Sequence, residues 1–229
     1  MMMAEEETRL ILVRHGETTW NVERRLQGHR DVDLNEKGKQ QAMCVARALQ
    51  DRHVHAVYSS DLKRAHDTAR HITDIHPTFS ADNIVRDPAL RERCLGILEG
   101  HTRMECALHF PEVIGSMGEP DFELEGGESL AEFAGRVTTA LDRIAANHQG
   151  ETVLVVTHGG ALNVALTHIL QLPFGRPRRF AISNASINEF TWHPTHGWHL
   201  ETWNSVVHLQ DDHAPLRHVP SNQMKKLSE

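Results

Sequence analysis

Two stretches of the chain are apolar almost without interruption. They are Leu10-Ile11-Leu12-Val13 and Val153-Leu154-Val155-Val156, the second flanked by Thr152 and Thr157. Short, unbroken, β-branched runs fit strands covered on both faces, as in a parallel sheet. Residues 55–58 form a third strand candidate. Between these runs the apolar positions take a helical period. Ala42, Val45, Ala46 and Leu49 share one face, and so do Leu62, Ala65, Ala69 and Ile72. Leu130, Phe133, Val137, Leu141 and Ile144 predict a longer amphipathic helix, which Gly150 stops. Residues 160–170 are apolar on most sides and predict a buried helix. Alternating strand and helix patterns imply an α/β sheet with helices on both faces.

After Pro173 the pattern changes. Residues 186–192 and 198–203 read as two strands around Pro194-Thr195-His196-Gly197, an edge hairpin. Residues 95–127 contain Gly, Pro and a weak helical piece near 102–110. They read as a long excursion over one face, and long ordered loops are often functional. From about Asp211 the chain is polar and proline-containing, a loosely held tail. Nothing resembles a repeat or a linker, so one domain over residues 1–229 is expected, with its core at about 9–205.

Composition changes this picture little. The chain has 229 residues, with 24 Lys and Arg against 31 Asp and Glu, giving a net charge of −7. An acidic balance argues against nucleic acid as a partner. A small anion stays possible, because a few placed arginines make a positive pocket on a negative protein. Three cysteines, Cys44, Cys94 and Cys106, do not form a disulfide framework in a chain of this length. The acidic start, Met1 to Arg9, lacks an apolar segment, so no signal peptide is expected. No apolar run approaches the roughly 18 residues of a membrane span. A reduced, cytoplasmic setting without membrane contact follows. The 18 histidines are unusual and invite metal, proton-transfer or nucleophile chemistry.

Position selects among those options. Arg14-His15-Gly16-Glu17-Thr18 directly follows one buried strand, and Thr157-His158-Gly159-Gly160 directly follows another. In open α/β sheets ligands bind outside the carboxyl ends of the strands, where the strand order switches. Two histidines delivered to that edge can meet. Their glycines let backbone amides approach an anion, and helix N-termini favour negative charge. Arg64, in Leu62-Lys63-Arg64-Ala65, begins a helix beyond the third strand and can grip a phosphate with its two-pronged guanidinium. Glu92, in Leu90-Arg91-Glu92, offers a carboxylate in a nearby loop for general acid work.

These blocks resemble the histidine phosphatase superfamily, in the branch of cofactor-dependent phosphoglycerate mutases and broad-specificity phosphatases. The resemblance runs through Arg14 to Thr18 with Trp20-Asn21, Leu26-Gln27-Gly28, Tyr58 to Ala65, Leu90-Arg91-Glu92 with Glu99-Gly100, Gly126-Gly127-Glu128-Ser129, and Val155 to Gly160. It covers about residues 9–205, in the family's order. It implies a phosphoglycerate mutase-like three-layer α/β/α sandwich with a mostly parallel sheet and an edge hairpin. It also implies that His15 attacks phosphorus, that Arg14, Arg64 and His158 clamp the equatorial oxygens, and that Glu92 is the acid and then the base. Asn21 and the backbone at Gly159 would add hydrogen bonds, and Gln27 and Gly28 would lie at the leaving-group rim. No metal and no cofactor are demanded. The expected ligand is a small phosphorylated metabolite, and a homodimer is compatible.

The same core serves a phosphatase, a mutase or an idle phosphoester-binding module. Mutases of the family carry a Tyr three residues after the acid, where this chain has Leu95. They also carry a basic insertion. Here residues 105–127 contain no Lys or Arg but six carboxylates: Glu105, Glu112, Glu119, Asp121, Glu123 and Glu125. An acidic lid repels a bisphosphorylated intermediate. A phosphomonoesterase is therefore expected, with the mutase as alternative. Apolar lid residues such as Leu98, Met104, Leu108 and Phe110 either line a leaving-group pocket or pack the lid. Arg24, Arg25, Arg30, Arg91 and Arg93 read as mostly solvated. Cys94, two residues from Glu92, is a small buried side chain by default or an oxidation-sensitive thiol. Only His15 and His158 need chemical roles.

Overall fold

The computed structural model describes residues 7–76, 81–173, 175 and 179–210. Among them six strands form one sheet: β1 (Thr8–Arg14), β2 (Ala56–Ser59), β3 (Ile84–Arg86), β4 (Thr152–Thr157), β5 (Ile187–His193) and β6 (Gly197–Ser205). Their order is β3-β2-β4-β1-β5-β6. The first four positions are parallel, and β5 and β6 return antiparallel as the edge hairpin. The described helices are α1 (Thr19–Val22), α2 (Glu36–Leu49), α3 (Lys63–Thr73), α4 (Arg103–His109), α5 (Pro111–Ser116), α6 (Leu130–Asn147) and α7 (Gly159–Ile169).

The unbroken apolar runs have the two-sided burial that their composition requires. In β1, Leu10 and Leu12 pack with α6 and α7, while Ile11 and Val13 pack with α2 and α3. In β4, Val153 and Val155 face the first group, and Leu154 and Val156 the second. The result is three layers, α/β/α, as expected. Helix α6 opens on a capping box in which Ser129 and Glu132 satisfy each other's backbone amides. It buries Phe133, Val137, Leu141 and Ile144 along the anticipated stripe. Gly150 follows in a left-handed turn (φ 78°).

Two elements escape the sequence pattern. Strand β3 is three residues long with one buried side chain, too short to show alternation. Helix α5 opens on Pro111 within the excursion and buries no residue fully. The excursion builds a small core of its own. Leu95, Leu98, Cys106 and Leu124 are buried together, with Phe110, Val113 and Met117 against them. Met104 and Leu108 instead face solvent, at 83% and 75% exposure, so neither lines a pocket. The tail expected from Asp211 onward lies outside the described residues.

The sheet register sets up the site. Arg14 of β1 pairs with Thr157 of the adjacent parallel β4. The two strands therefore end level, and the next residues, His15 and His158, emerge side by side at their carboxyl ends.

Candidate active site

His15 is buried, and its backbone amide donates to the Thr157 carbonyl (2.9 Å). Its Nδ1 lies 2.7 Å from the Gly16 carbonyl oxygen. A carbonyl can only accept, so Nδ1 carries the proton and Nε2 keeps its lone pair. Burial, together with the Arg64 and Arg14 guanidiniums, holds the imidazole pKa well below its ordinary value, against the bond to Gly16. The ring is a neutral imidazole of fixed tautomer whose Nε2 lone pair is not protonated.

His158 caps the start of α7 and has no exposure to solvent. Its Nε2 lies 2.8 Å from Ser60 Oγ, and its Nδ1 is buried with no hydrogen-bond partner among the described residues. Burial pushes its pKa down, and Arg64, His15, Arg14 and Arg136 push in the same direction.

Arg64, on the first turn of α3, is 1% exposed. Its Nη1 donates to the Arg30 carbonyl and its Nη2 to the Gly28 carbonyl, both at 2.8 Å. Its Nε is buried without a partner among the described residues. Burial lowers its pKa to about 10, which still leaves it charged at neutral pH. Arg14 donates to the Ile182 carbonyl and lies against Gly159, where a Cβ would come 3.3 Å from Arg14 Nε. Two arginines and two neutral imidazoles, with Arg64 Nε and His158 Nδ1 buried and unpartnered among the described residues, form a receptor for a compact anion.

Glu92 follows a short 3₁₀ turn, Pro88–Leu90, tied down by Thr157 Oγ1 donating to the Leu90 carbonyl (2.7 Å). Its Oε2 accepts the Gly160 amide (2.8 Å) and its Oε1 the Arg93 amide (2.9 Å). The carboxylate thus lies on the first turn of α7, beside His158. A Cβ at Gly160 would stand 1.9 Å from Glu92 Oε1, so glycine there is a condition of the contact.

The remaining expected residues lie nearby. Asn21 Oδ1 accepts from the Thr18 amide, the Thr18 hydroxyl and Asn184 Nδ2, each at 3.1 Å. Gln27 is 8% exposed, and its Oε1 is buried with no partner among the described residues. Gly28 is buried and contributes the carbonyl that holds Arg64.

A family model for the histidine phosphatase superfamily, branch 1, matches residues 10–206. The chain belongs to that superfamily. Among its relatives, a metal-independent phosphoserine phosphatase of Arabidopsis thaliana is 41% identical over 209 residues, covering 89% of this chain and 84% of the relative. Phosphoglycerate mutase-like protein 4 of the same plant is 38% identical, covering 88% of this chain and 87% of the relative. A phosphoserine phosphatase structure from Entamoeba histolytica, in complex with 3-phosphoglyceric acid, superposes with a TM-score of 0.77 at 27% identity. It covers 88% of this chain and 99% of that one. Fold and relatives make this chain a histidine phosphatase-type phosphomonoesterase.

Some groups of this histidine phosphatase were not anticipated from sequence. Ser60 and Glu128 fell inside the recognised blocks but carried no assigned part. Asn184, Arg136 and His29 gave no local signal, since each reaches the site from a separate segment. His29 Nε2 lies 2.8 Å from the Glu92 carbonyl, so a third histidine touches the site. Arg93 corrects the expectation of solvated arginines. It is 7% exposed and donates to the Glu128 and Met117 carbonyls, because the lid closes over it. Arg91 is paired with Asp61 at 2.5 Å. Cys94 is half-buried, and burial and the neighbouring carboxylates Glu99 and Glu128 raise its pKa, which keeps it a protonated, poorly reactive thiol.

Proposed function

We propose that this histidine phosphatase hydrolyses small phosphate monoesters in two steps through a phosphohistidine on His15. In the first step the His15 Nε2 lone pair attacks phosphorus as the ester P–O bond breaks, and Glu92 gives its proton to the departing oxygen. In the second, water attacks phosphorus, Glu92 takes a proton from it, and the P–N bond breaks to release phosphate. Arg14, Arg64 and His158 hold the equatorial oxygens, whose charge they stabilise with little reorganisation. Asn21, Gln27, Gly28 and the Gly159 backbone border the phosphoryl group and the leaving group. No step calls for a metal or a cofactor.

The observation that carries this reading is the locked tautomer of His15, which presents Nε2 in a pocket with unpartnered nitrogens on Arg64 and His158. Hydrolysis is favoured over transfer by the lid. Glu112, Glu119, Asp121, Glu123 and Glu125 are all exposed, and no Lys or Arg lies among residues 105–127 to hold a second phosphoryl group. The phosphoserine phosphatases among its relatives support an ester with a small polar alkyl leaving group, phosphoserine being the first to try.

The test is turnover of p-nitrophenyl phosphate and phosphoserine in the presence of a chelator, with quench-trapping of phosphohistidine. Turnover and a trapped phosphohistidine are expected, both lost in His15→Ala. Undiminished turnover in that variant overturns the mechanism. Interconversion of phosphoglycerates stimulated by a bisphosphate would move the chain to the mutases.

A further inference from the structure

Glu92 must bring its proton to the departing oxygen, yet its own contacts are two backbone amides at the tip of its side chain. One ion pair reaches three carbonyls of the loop beneath it. Arg136 on α6 donates through Nη1 to the carbonyls of Ala89 (3.1 Å) and Arg91 (2.9 Å), and through Nη2 to the carbonyl of Glu92 (2.8 Å). Its Nε and Nη2 also grip both carboxylate oxygens of Glu128. Glu128 Oε1 in turn accepts the Cys94 amide (2.7 Å). Among the described residues every side-chain hydrogen bond of Arg136 goes to the acid loop or to Glu128. His29 donates to the same Glu92 carbonyl from the rim loop.

We propose that Arg136 and Glu128 are a positioning pair for the general acid: they hold residues 89–94 so that the Glu92 carboxylate reaches the leaving oxygen. This rests on the acid role given to Glu92 above. The pair is well placed for the task. Glu128 immediately precedes the N-cap Ser129 of α6, and α6 is anchored by its buried face. The guanidinium fork satisfies three carbonyls that turn toward it from one short loop, which a lysine ammonium cannot do with a carboxylate as well. Displacement of a catalytic group by about 1 Å can cost on the order of 10²-fold in rate. The nucleophile is held separately, by the Thr157 and Gly16 carbonyls.

A positioning role for the acid leaves a signature that a general loss of structure does not. A nitrophenolate leaves without a proton, whereas an alkoxide needs one. First-step rates are therefore measured in single turnover for p-nitrophenyl phosphate and for phosphoserine, in the wild type, Arg136→Lys, Glu128→Gln and Glu92→Gln. Arg136→Lys keeps the charge near His158. The alkyl-to-aryl rate ratio is expected to fall about 10- to 100-fold in Arg136→Lys and Glu128→Gln, toward the ratio of Glu92→Gln. An unchanged ratio in both pair variants, with Glu92→Gln strongly selective, overturns the positioning pair. An unchanged ratio in Glu92→Gln itself overturns the acid assignment instead. If Arg136→Lys does not fold, Glu128→Gln alone decides.

Discussion

The imidazoles of His15 and His158 stand 5.2 Å apart, centre to centre, with their planes tilted by 59°. Both are buried, and Arg14 and Arg64 depress the pKa of each. The unfolded chain protonates these rings near 6.5, while the folded protein resists protonation until a lower pH. Between pH 6.5 and that lower value the unfolded state binds more protons, so stability present above pH 6.5 is lost as pH falls. Each ring contributes a slope of at most about 1.4 kcal/mol per pH unit. Urea unfolding between pH 7.5 and 5 measures it. A double variant, His15→Asn with His158→Asn, should flatten the curve, and equal slopes would refute the account.

Arg64 Nε and His158 Nδ1 lack partners among the described residues, and an oxyanion supplies acceptors for both. Inorganic phosphate or vanadate should therefore raise the Tm of the protein. At 100 times the Kd, the stabilisation is about 2.7 kcal/mol. In Arg64→Lys the shift should shrink by more than half, because an ammonium cannot hold two carbonyls and the anion together. A full shift in that variant would show that the anion binds elsewhere.

Two glycines should respond differently to one added methyl group. At Gly160 the new Cβ meets the end of a flexible side chain, Glu92 Oε1, at 1.9 Å. At Gly38 it meets a backbone oxygen, that of Glu17, at 2.0 Å. Gly160→Ala is expected to change stability by less than about 1 kcal/mol, helped by the helix preference for Ala, while displacing the Glu92 carboxylate. Its phosphoserine turnover should fall by about 10²-fold. Gly38→Ala must move backbone and should cost about 1–3 kcal/mol. Thermal unfolding and turnover, measured on both, separate the two; a stability loss at Gly160 as large as at Gly38 would contradict this.

Ser60 is the partner of His158 Nε2, and its hydroxyl can donate to that nitrogen or accept from it. Its hydroxyl oxygen accepts the Leu62 amide (3.3 Å) and lies 2.8 Å from His158 Nε2. With its own hydrogen donated to Nε2, the ring keeps Nδ1–H for a phosphoryl oxygen. Ring nitrogen NMR of the phosphate-free protein should show that tautomer, and Ser60→Ala should mix the two. A wild-type ring protonated at Nε2 would reverse the assignment.

The sheet was readable because burial on both faces leaves a mark on composition. Leu10 to Val13 and Val153 to Val156 have no polar face to offer. The helices α2, α3 and α6 were readable from their stripes. Strand β3 and helix α5 were not, since three residues cannot show a period and a helix that buries nothing fully shows no stripe. His15, Arg64, Glu92 and His158 stood out because each follows a strand end or opens a helix, where side chains converge.

What converged on them was decided only in three dimensions. Arg136 lies mid-helix, Asn184 in a loop before β5, and His29 in the rim loop. Nothing in their local sequence distinguishes them from surface polar residues. They became site residues when carbonyls of distant segments were left needing donors: those of Ala89, Arg91 and Glu92 for Arg136, that of His15 for Asn184, and that of Glu92 for His29. The sequence by itself determined the sheet, the family and which polar residues stand at the strand ends, because burial and strand-end chemistry are local properties. The tertiary structure decided the His15 tautomer, the depressed histidine pKa values and the support of the Glu92 loop, because each depends on which buried polar groups meet across the chain.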